Sequence, residues 1–470
     1  MSVVLYFIHK KFYGVLMMNN KRKVVSTIMV VLIAVVSVVF ALGTVKGNIN
    51  LFEMFAPTTT TEPTTTEPPT TQPPAPEVTS TVTIRSAGDV LIHIPVYQNA
   101  KQSDGTYDFS HIFTVSEDII SGADYFVANL ETTLGGTNGR SYSGFPRFNS
   151  PDSIIDALKG AGIDCLLTAN NHSYDTNGPG VLRTIEKIEE AGLDYTGTRK
   201  TTEGKTYLVK NIDGIKFGFA CYSYETPTSE GRKALNGLVV DTDTAPLINS
   251  FKPDNPQAFY EELQTSIKQM KKKGADIIAV YIHWGEEYQL APNTKQQEIA
   301  QKLCDLGVDV IIGGHPHVVQ PMELLTSTDG KHKTVCVYSM GNFVSNQRRN
   351  LMGLKTGHTE DGLIFEMTFS KYSDGTVLFD SVDAVPTWVH LYSQGGKKVH
   401  SIVPLEGNLD KKAEKLGLTK TADGLSQAKA SMARTNELVS EGEKKCNKYL
   451  KSIETPIEAY NRQQVKGDLL

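Results

Sequence analysis

Residues 57–78 read PTTTTEPTTTEPPTTQPPAPEV, and this stretch limits where a fold can form. Threonine, proline and glutamate without large apolar side chains cannot offset the entropy of ordering, so the segment is expected to be an extended, solvated, disordered stalk. Anything with a core must lie to one side of it. On the amino-terminal side, Val24 to Leu42 is a 19-residue run without charge, rich in Val and Ile. At about 1.5 Å per residue such a helix spans roughly 28 Å, about the thickness of a bilayer's hydrocarbon core. Lys21, Arg22 and Lys23 stand immediately before it, with Lys10 and Lys11 further back. That cationic flank stays cytoplasmic and places everything after Leu42 outside the cell membrane. A cleaved signal peptide is the alternative, but the run is longer than an ordinary h-region and no A-x-A site follows. No cysteine follows either, which excludes a lipoprotein anchor. Initiation at Met17 or Met18 would leave the topology unchanged.

The expected organisation is a cytoplasmic N-terminus over 1–23, one transmembrane helix within 24–45, the stalk over 46–80, a folded domain over 81–404 and a helical tail over 405–470. Residues 1–56 carry six Lys or Arg against one acidic residue, so a total charge of −5 leaves −10 on the remainder. An acidic body of that size argues against general nucleic-acid binding. The five cysteines are far apart with no CxxC pair, which suggests neither a disulfide scaffold nor a zinc finger but small buried apolar residues.

After Thr81, strand-like and helix-like patterns alternate. Apolar runs at Asp124–Leu130, Ile163–Ala169, Asp276–Ile282 and Val308–Gly313 read as buried strands. Phe259, Leu263, Ile267 and Met270 fall on one helical stripe, as do Val181, Ile185 and Ile188. Gly192, Gly274 and Gly307 are placed as helix stops. Asp213-Gly214 and Asp374-Gly375, each between two such runs, are hairpin signals. Parallel units combined with hairpins predict one layered α/β domain of mixed sheets. The tail after residue 405 is Lys/Glu-rich and helix-prone, and packs as either a lid or a brace.

The chemistry-bearing residues all fall where strands end. Asp89 closes the first run, with His93 four residues on, and Glu131 follows the second. Asn170-Asn171-His172 ends the third, with Asp175 beyond, while His283 and the His315-Pro316-His317 triplet end two later strands. Ligands of open α/β sheets gather outside the carboxyl ends of strands. Each residue alone has a plain alternative: a turn-forming Asp, a hydrogen-bonded core His, a packed His283–Trp284 pair. His315-Pro316-His317 is harder to dismiss. Imidazoles at i and i+2 share one side of an extended segment. Pro316 biases His315 toward that extended conformation, and Gly313-Gly314 leaves room for close approach. Carboxylate, amide and imidazole without thiolate suit Mn, Zn or Fe. Two adjacent cations need one carboxylate able to bridge them.

Through SAGDVLIH, ANLETTL, TANNHSYDTNGPGV, HWGEEY, GGHPHVVQPME and YSMGNF, the chain resembles the bacterial capsule-synthesis CapA family, associated with poly-γ-glutamate. That family is similar in fold to calcineurin-like metallophosphoesterases, and the resemblance runs from about Thr83 to Phe369. It implies an α/β/β/α sandwich of mixed sheets and two divalent ions. Asp89 would bind the first, Glu131 would bridge, and Asn171 and His283 would bind the second. His315 would join the second and His317 the first, with His172 beside the substrate as orienting or proton-donating group. Two features depart from the pattern: His93 lies four rather than two residues after the aspartate, and the bridge is Glu rather than Asp. Asn342, in the GNF turn, matches a family motif or is a structural turn residue. The resemblance also implies poly-γ-glutamate or another envelope polymer, and membrane-embedded synthase components, as partners.

Two function classes compete and are not exclusive. One is a metal-dependent hydrolase acting on a phosphoester or an amide-linked anionic polymer. The other is an accessory that binds and guides the polymer at the membrane. A plain adhesion or scaffold domain would leave the clustered ligands unexplained.

Overall fold

The computed structural model describes residues 74–467 apart from residue 355. The expected anchor, the segment before it and most of the stalk lie outside the described residues. Among the described residues no helix is long and apolar enough to cross a membrane. The first strand, β1 (Val78–Val90), begins within the last residues assigned to the stalk.

Strands and helices then alternate as the patterns predict. β2 (Tyr125–Leu130) and β3 (Cys165–Leu167) are short and fully buried, and β4 (Asp194–Thr196) is short and partly buried. β5 (Tyr207–Ile212) and β6 (Ile215–Tyr224) form the hairpin predicted at Asp213-Gly214. Its two turn residues have φ of 42° and 87°, the left-handed pair that a two-residue turn matching strand twist requires. β7 (Ala234–Leu235) and β8 (Leu238–Val239) make a separate ribbon, and β9 (Ser250–Phe251) adds to β6. There follow β10 (Ile277–His283), β11 (Val310–Gly314), β12 (Val319–Thr326), β13 (Lys333–Met340) and β14 (Asn342–Val344). The long strands β15 (Asp361–Tyr372), β16 (Val377–Gln394) and β17 (Lys397–Pro404) complete the set, the first two joined at the predicted Asp374-Gly375 turn.

Two mixed sheets result. The first runs β17-β16-β15-β1-β2-β3-β4 with β14 beside β1, and the second runs β12-β13-β11-β10-β6-β5. Within the first, β1 to β4 are parallel; within the second, β6, β10, β11 and β13 are. Ile84, Tyr125 and Val127 of one sheet meet Phe219, Tyr281 and Val337 of the other in a shared core. Tyr125 stacks on Phe219 with ring centroids 5.7 Å apart, and the Ser86 and Tyr281 hydroxyls meet at 2.8 Å. The other face of the first sheet carries helices Ser153–Ala161 and Asn177–Glu190. That of the second carries Gln257–Lys272 and Thr294–Asp305, through Phe259, Leu263, Ile267 and Met270. Each such side chain removed from water contributes about 1.5–3 kcal/mol, enough to set which face turns inward. The outcome is a four-layered α/β sandwich. Gly192, Gly274 and Gly307 end their helices in the left-handed region at φ of 72°, 83° and 81°.

The carboxy-terminal segment is a brace. Helix Gly424–Leu450 packs on β16 of one sheet and β12 of the other, burying Thr435, Val439, Cys446 and Leu450. It comes so close that a Cβ on Gly442 would stand 2.0 Å from the Met322 carbonyl oxygen. Asp361 clips it down, accepting from Ser431 Oγ at 2.6 Å and Arg434 Nε at 2.8 Å. All five cysteines are free thiols and buried.

Candidate metal centre

Because β1, β2, β3, β10 and β11 are parallel within their sheets, their carboxyl ends deliver the candidate residues to one edge of the sandwich. Asp89 and Glu131 are both wholly buried. Asp89 Oδ1 accepts from Asn129 Nδ2 at 2.7 Å, while Oδ2 lies 3.2 Å from His317 Nδ1 and 3.3 Å from the His315 amide. Glu131 Oε1 lies 3.4 Å from His283 Nε2 and 3.9 Å from His317 Nε2. His283 Nε2 also meets Asn171 Oδ1 at 2.8 Å. The His283 and His315 rings are 4.9 Å apart, and those of His315 and His317 5.9 Å. The structure therefore brings Asp89, Glu131, Asn171, His283, His315 and His317 together.

Two sets of ligand-type atoms lie within 4.8 Å of one another: Asp89 with Glu131 and His283, and Glu131 with His315 and His317. Glu131 is common to both, the place that the resemblance gives to a bridging carboxylate. The donor chemistry fits cations. Both Glu131 oxygens and His315 Nδ1 are buried without a hydrogen-bond partner. An ionised carboxylate left so is costly by several kcal/mol unless a positive charge is supplied. Burial, and then the neighbouring Asp89 charge, push the Glu131 carboxyl well above its ordinary range. Burial holds His283 down to about 3 and His315 well below its usual value, so both rings are neutral lone-pair donors. Burial also acts on Asp89, but the His317 hydrogen bond and charge outweigh it, leaving its carboxyl below the usual range. Neutral imidazoles and uncompensated buried acid are what a divalent ion requires of its ligands.

The His315-Pro316-His317 segment corrects an expectation. It is not extended: His315 has φ of 96° and His317 of 55°, both in the left-handed region that non-glycine residues avoid. The Pro316 bias on His315 is overridden because neighbouring backbone over-determines the loop. Trp284 N donates to the Gly314 carbonyl at 3.1 Å, Tyr288 N to the Pro316 carbonyl at 2.8 Å, and His315 N reaches Asp89. Strain of this kind is of order 1–3 kcal/mol per residue and persists only where surroundings hold it. The glycine argument stands: a Cβ on Gly314 would sit 2.9 Å from Asp89 Oδ1, and one on Gly313 2.0 Å from the Tyr338 carbonyl oxygen.

The remaining candidates flank the centre. His172 Nδ1 lies 2.7 Å from Asp175 Oδ2, which also accepts from Phe148 N at 2.6 Å. His93 lies outside both ligand sets, separated from His172 by the Phe148 ring at 5.2 and 4.7 Å between centroids. Asn342 is a tie: its Nδ2 reaches the carbonyls of His317 at 3.3 Å and Thr359 at 2.9 Å, and it stands opposite Asp89 in the β1–β14 pairing.

Sequence reasoning gave no role to three participants. Asn129 fixes Asp89 and is itself held by Asn170 Nδ2 at 3.1 Å. Its place two residues before Glu131 in a strand puts both on one face, which was a usable signal. Tyr224, at the end of β6, lies against His315 at 4.7 Å. Asn236, from the β7–β8 ribbon, reaches to 3.5 Å from His172 Nδ1. Neither of these two carried a motif, since both arrive from distant sequence.

The profile of a family described as bacterial capsule synthesis protein PGA_cap matches residues 83–347. The chain is 27% identical over 270 residues to the capsule biosynthesis protein CapA of Bacillus anthracis, covering 57% of this chain and 60% of that one. To the PGA biosynthesis protein CapA of Bacillus subtilis it is 28% identical over 244 residues, covering 50% and 57%. A segment of 179 residues is 27% identical to an NAD 5'-nucleotidase of Haemophilus influenzae, covering 36% of this chain and 25% of that protein. The chain thus spans less than two thirds of the length of each of these relatives. The family match takes in β1 through β14 and every residue of the centre, and on that basis the chain belongs to the bacterial capsule synthesis proteins of the PGA_cap family, of the metallophosphoesterase-like superfamily.

Proposed function

We propose that this protein takes part in making or exporting an anionic capsule polymer of the poly-γ-glutamate class, at the outer face of the cell membrane, through a dinuclear metal centre. The observation that carries the reading is Glu131, buried with both oxygens unpartnered and shared by two ligand sets. Asp89, Asn171, His283, His315 and His317 would complete the ligand set around Glu131. The likeness to a capsule biosynthesis protein and to a PGA biosynthesis protein supports the polymer. The apolar run after Lys21–Lys23 supports a single anchor that holds the domain outside, beside the membrane components of the synthase.

Bound divalent ions, Mn, Zn or Fe, would polarise a substrate oxyanion and lower the pKa of water. The chain's own residues do the rest. Asn129 and Asn170 hold the Asp89 carboxylate and the strand ends in register. Asp175 fixes the His172 ring, which then offers its other nitrogen to the substrate as orienting group or proton donor. Tyr224 and Phe148 cover His315 and His172 and exclude water from them.

A second reading, a phosphoesterase or amide hydrolase for another envelope substrate, is favoured by the nucleotidase likeness and by the His172–Asp175 pair. Metal content and hydrolysis of p-nitrophenyl phosphate and its diester, in wild type, Glu131→Gln and His315→Ala, test the centre; polymer yield from cells carrying the same variants tests the role. We expect metal and polymer to fall together. Metal loss with unchanged polymer yield would sink the capsule reading, and stoichiometric metal in Glu131→Gln would sink the centre.

A further inference from the structure

We infer that His93 is not a metal ligand but a fixed hydrogen-bond donor to the oxyanion held at the metal centre, positioned from behind by Asn346 and His400; this rests on the reading of that centre as an oxyanion site. The argument is one of lone pairs. The backbone amide of Asn346 lies 3.3 Å from His93 Nδ1. An amide N–H can only donate, so Nδ1 is the acceptor and the neutral ring carries its proton on Nε2. A neutral imidazole has a single lone pair in its ring plane, and here the amide uses it. Nothing remains to coordinate an ion, which agrees with the absence of His93 from both ligand sets among the described residues. Burial holds the ring down to about 4 and so keeps it neutral.

His93 nevertheless faces the centre. It packs edge-on against Phe148, whose other side meets His172. Among the described residues no side-chain hydrogen bond is made by Nε2, and the residue is only partly covered, which leaves that N–H able to donate. The support behind it comes from a remote strand. His400, on β17, meets Asn346 Oδ1 through Nε2 at 2.8 Å. His400 is buried, and its Nδ1 has no partner, so Nε2 is the protonated nitrogen and donates to the amide oxygen. His400 thus orients Asn346, Asn346 sets the His93 tautomer, and His93 presents one N–H to whatever anion the centre binds. The four-residue spacing after Asp89 follows: β1 ends at Val90, and the chain must turn at Leu91-Ile92 before His93 can face the cleft beside Phe148.

The test uses the whole 470-residue chain loaded with Mn²⁺, its metal content measured by elemental analysis and inorganic phosphate binding by calorimetry. His93→Ala should keep the wild-type metal content while phosphate binding weakens about tenfold, the scale of one hydrogen bond to a charged group. His93→Gln, which retains an N–H donor, should recover most of that loss. His400→Leu should weaken phosphate about threefold when His93 is present and not at all in His93→Ala, because it acts only through that ring. Loss of half or more of the metal in His93→Ala would make the residue a ligand and overturn the inference. So would wild-type phosphate affinity in His93→Ala. If the wild type itself takes up metal but binds no phosphate, the oxyanion reading of the centre fails, and the donor role fails with it.

Discussion

Two buried glutamates at the same end of the sandwich have been given opposite surroundings. Glu360 is covered by its own chain: Arg349 reaches it at 2.7 and 3.1 Å, Arg348 at 3.2 Å and the Trp388 indole at 3.2 Å. Burial alone would raise its carboxyl, but the Arg349 hydrogen bonds and the Arg348 charge bring it below the ordinary range. Among the described residues neither Glu131 oxygen meets an arginine, a lysine or a hydrogen-bond donor, and burial drives its carboxyl up. A buried acid that serves the fold brings its own counter-charge. One that serves a metal leaves that place open, and the chain bears the cost until an ion fills it.

The largest effect should come from breaking the closed pair. Glu360→Ala deprives two partly buried guanidinium groups of their carboxylate and should destabilise the protein by about 3 kcal/mol in urea unfolding. The matching Glu131→Gln, measured without metal, should leave stability unchanged or raise it, because it removes a buried acid that nothing among the described residues pairs. Similar losses at both positions would erase the contrast. The next effect sharpens it: Mn²⁺ at a hundredfold excess over its dissociation constant should stabilise the wild type by about 2.7 kcal/mol. Glu131→Gln should lose most of that gain, and Glu360→Gln should retain it.

A smaller effect concerns two buried histidines. His390 and His400, buried away from the centre, are held down to about 4 and about 3, chiefly by burial and then by the Arg348 charge. Between those values and the unfolded value of about 6.5 the unfolded chain binds protons that the native state refuses. Stability is therefore complete above about pH 6.5 and declines as pH falls toward 4. In metal-free protein His390→Gln should flatten that decline, and an unchanged slope would exclude the residue as a source. The smallest effect belongs at the surface. Lys415 and Asp118, 73% and 84% exposed at 2.8 Å, form an ion pair screened by solvent, and Lys415→Ala should leave the unfolding midpoint unchanged in the same assay.

Much of the fold could be read from local pattern because the cause was local. Apolar stripes at helical spacing became the buried faces of Gln257–Lys272 and Asn177–Glu190, and Asp-Gly pairs became hairpin turns. The strand-end residues were legible for a related reason: a parallel strand presents its last side chains at one edge, so spacing and residue type mark candidates before any contact is known. The His315-Pro316-His317 backbone was not legible. Its left-handed φ values are held by hydrogen bonds donated by Trp284 and Tyr288 and one accepted by Asp89, none of which is a sequence neighbour. The tail was read as helical, but its role as a brace needed the shape of β12 and β16 beside Gly442.

By itself, then, the sequence determined the alternating strands and helices, their turns and stops, and a metal-type inventory of carboxylate, amide and imidazole at strand ends. Those follow from periodicity and side-chain chemistry, which act over a few residues. Tertiary structure alone decided which buried acid is neutralised by arginine and which is left bare, and which lone pair of His93 is taken. Charge compensation and hydrogen bonding act through space, between side chains as far apart in the chain as His93 and His400.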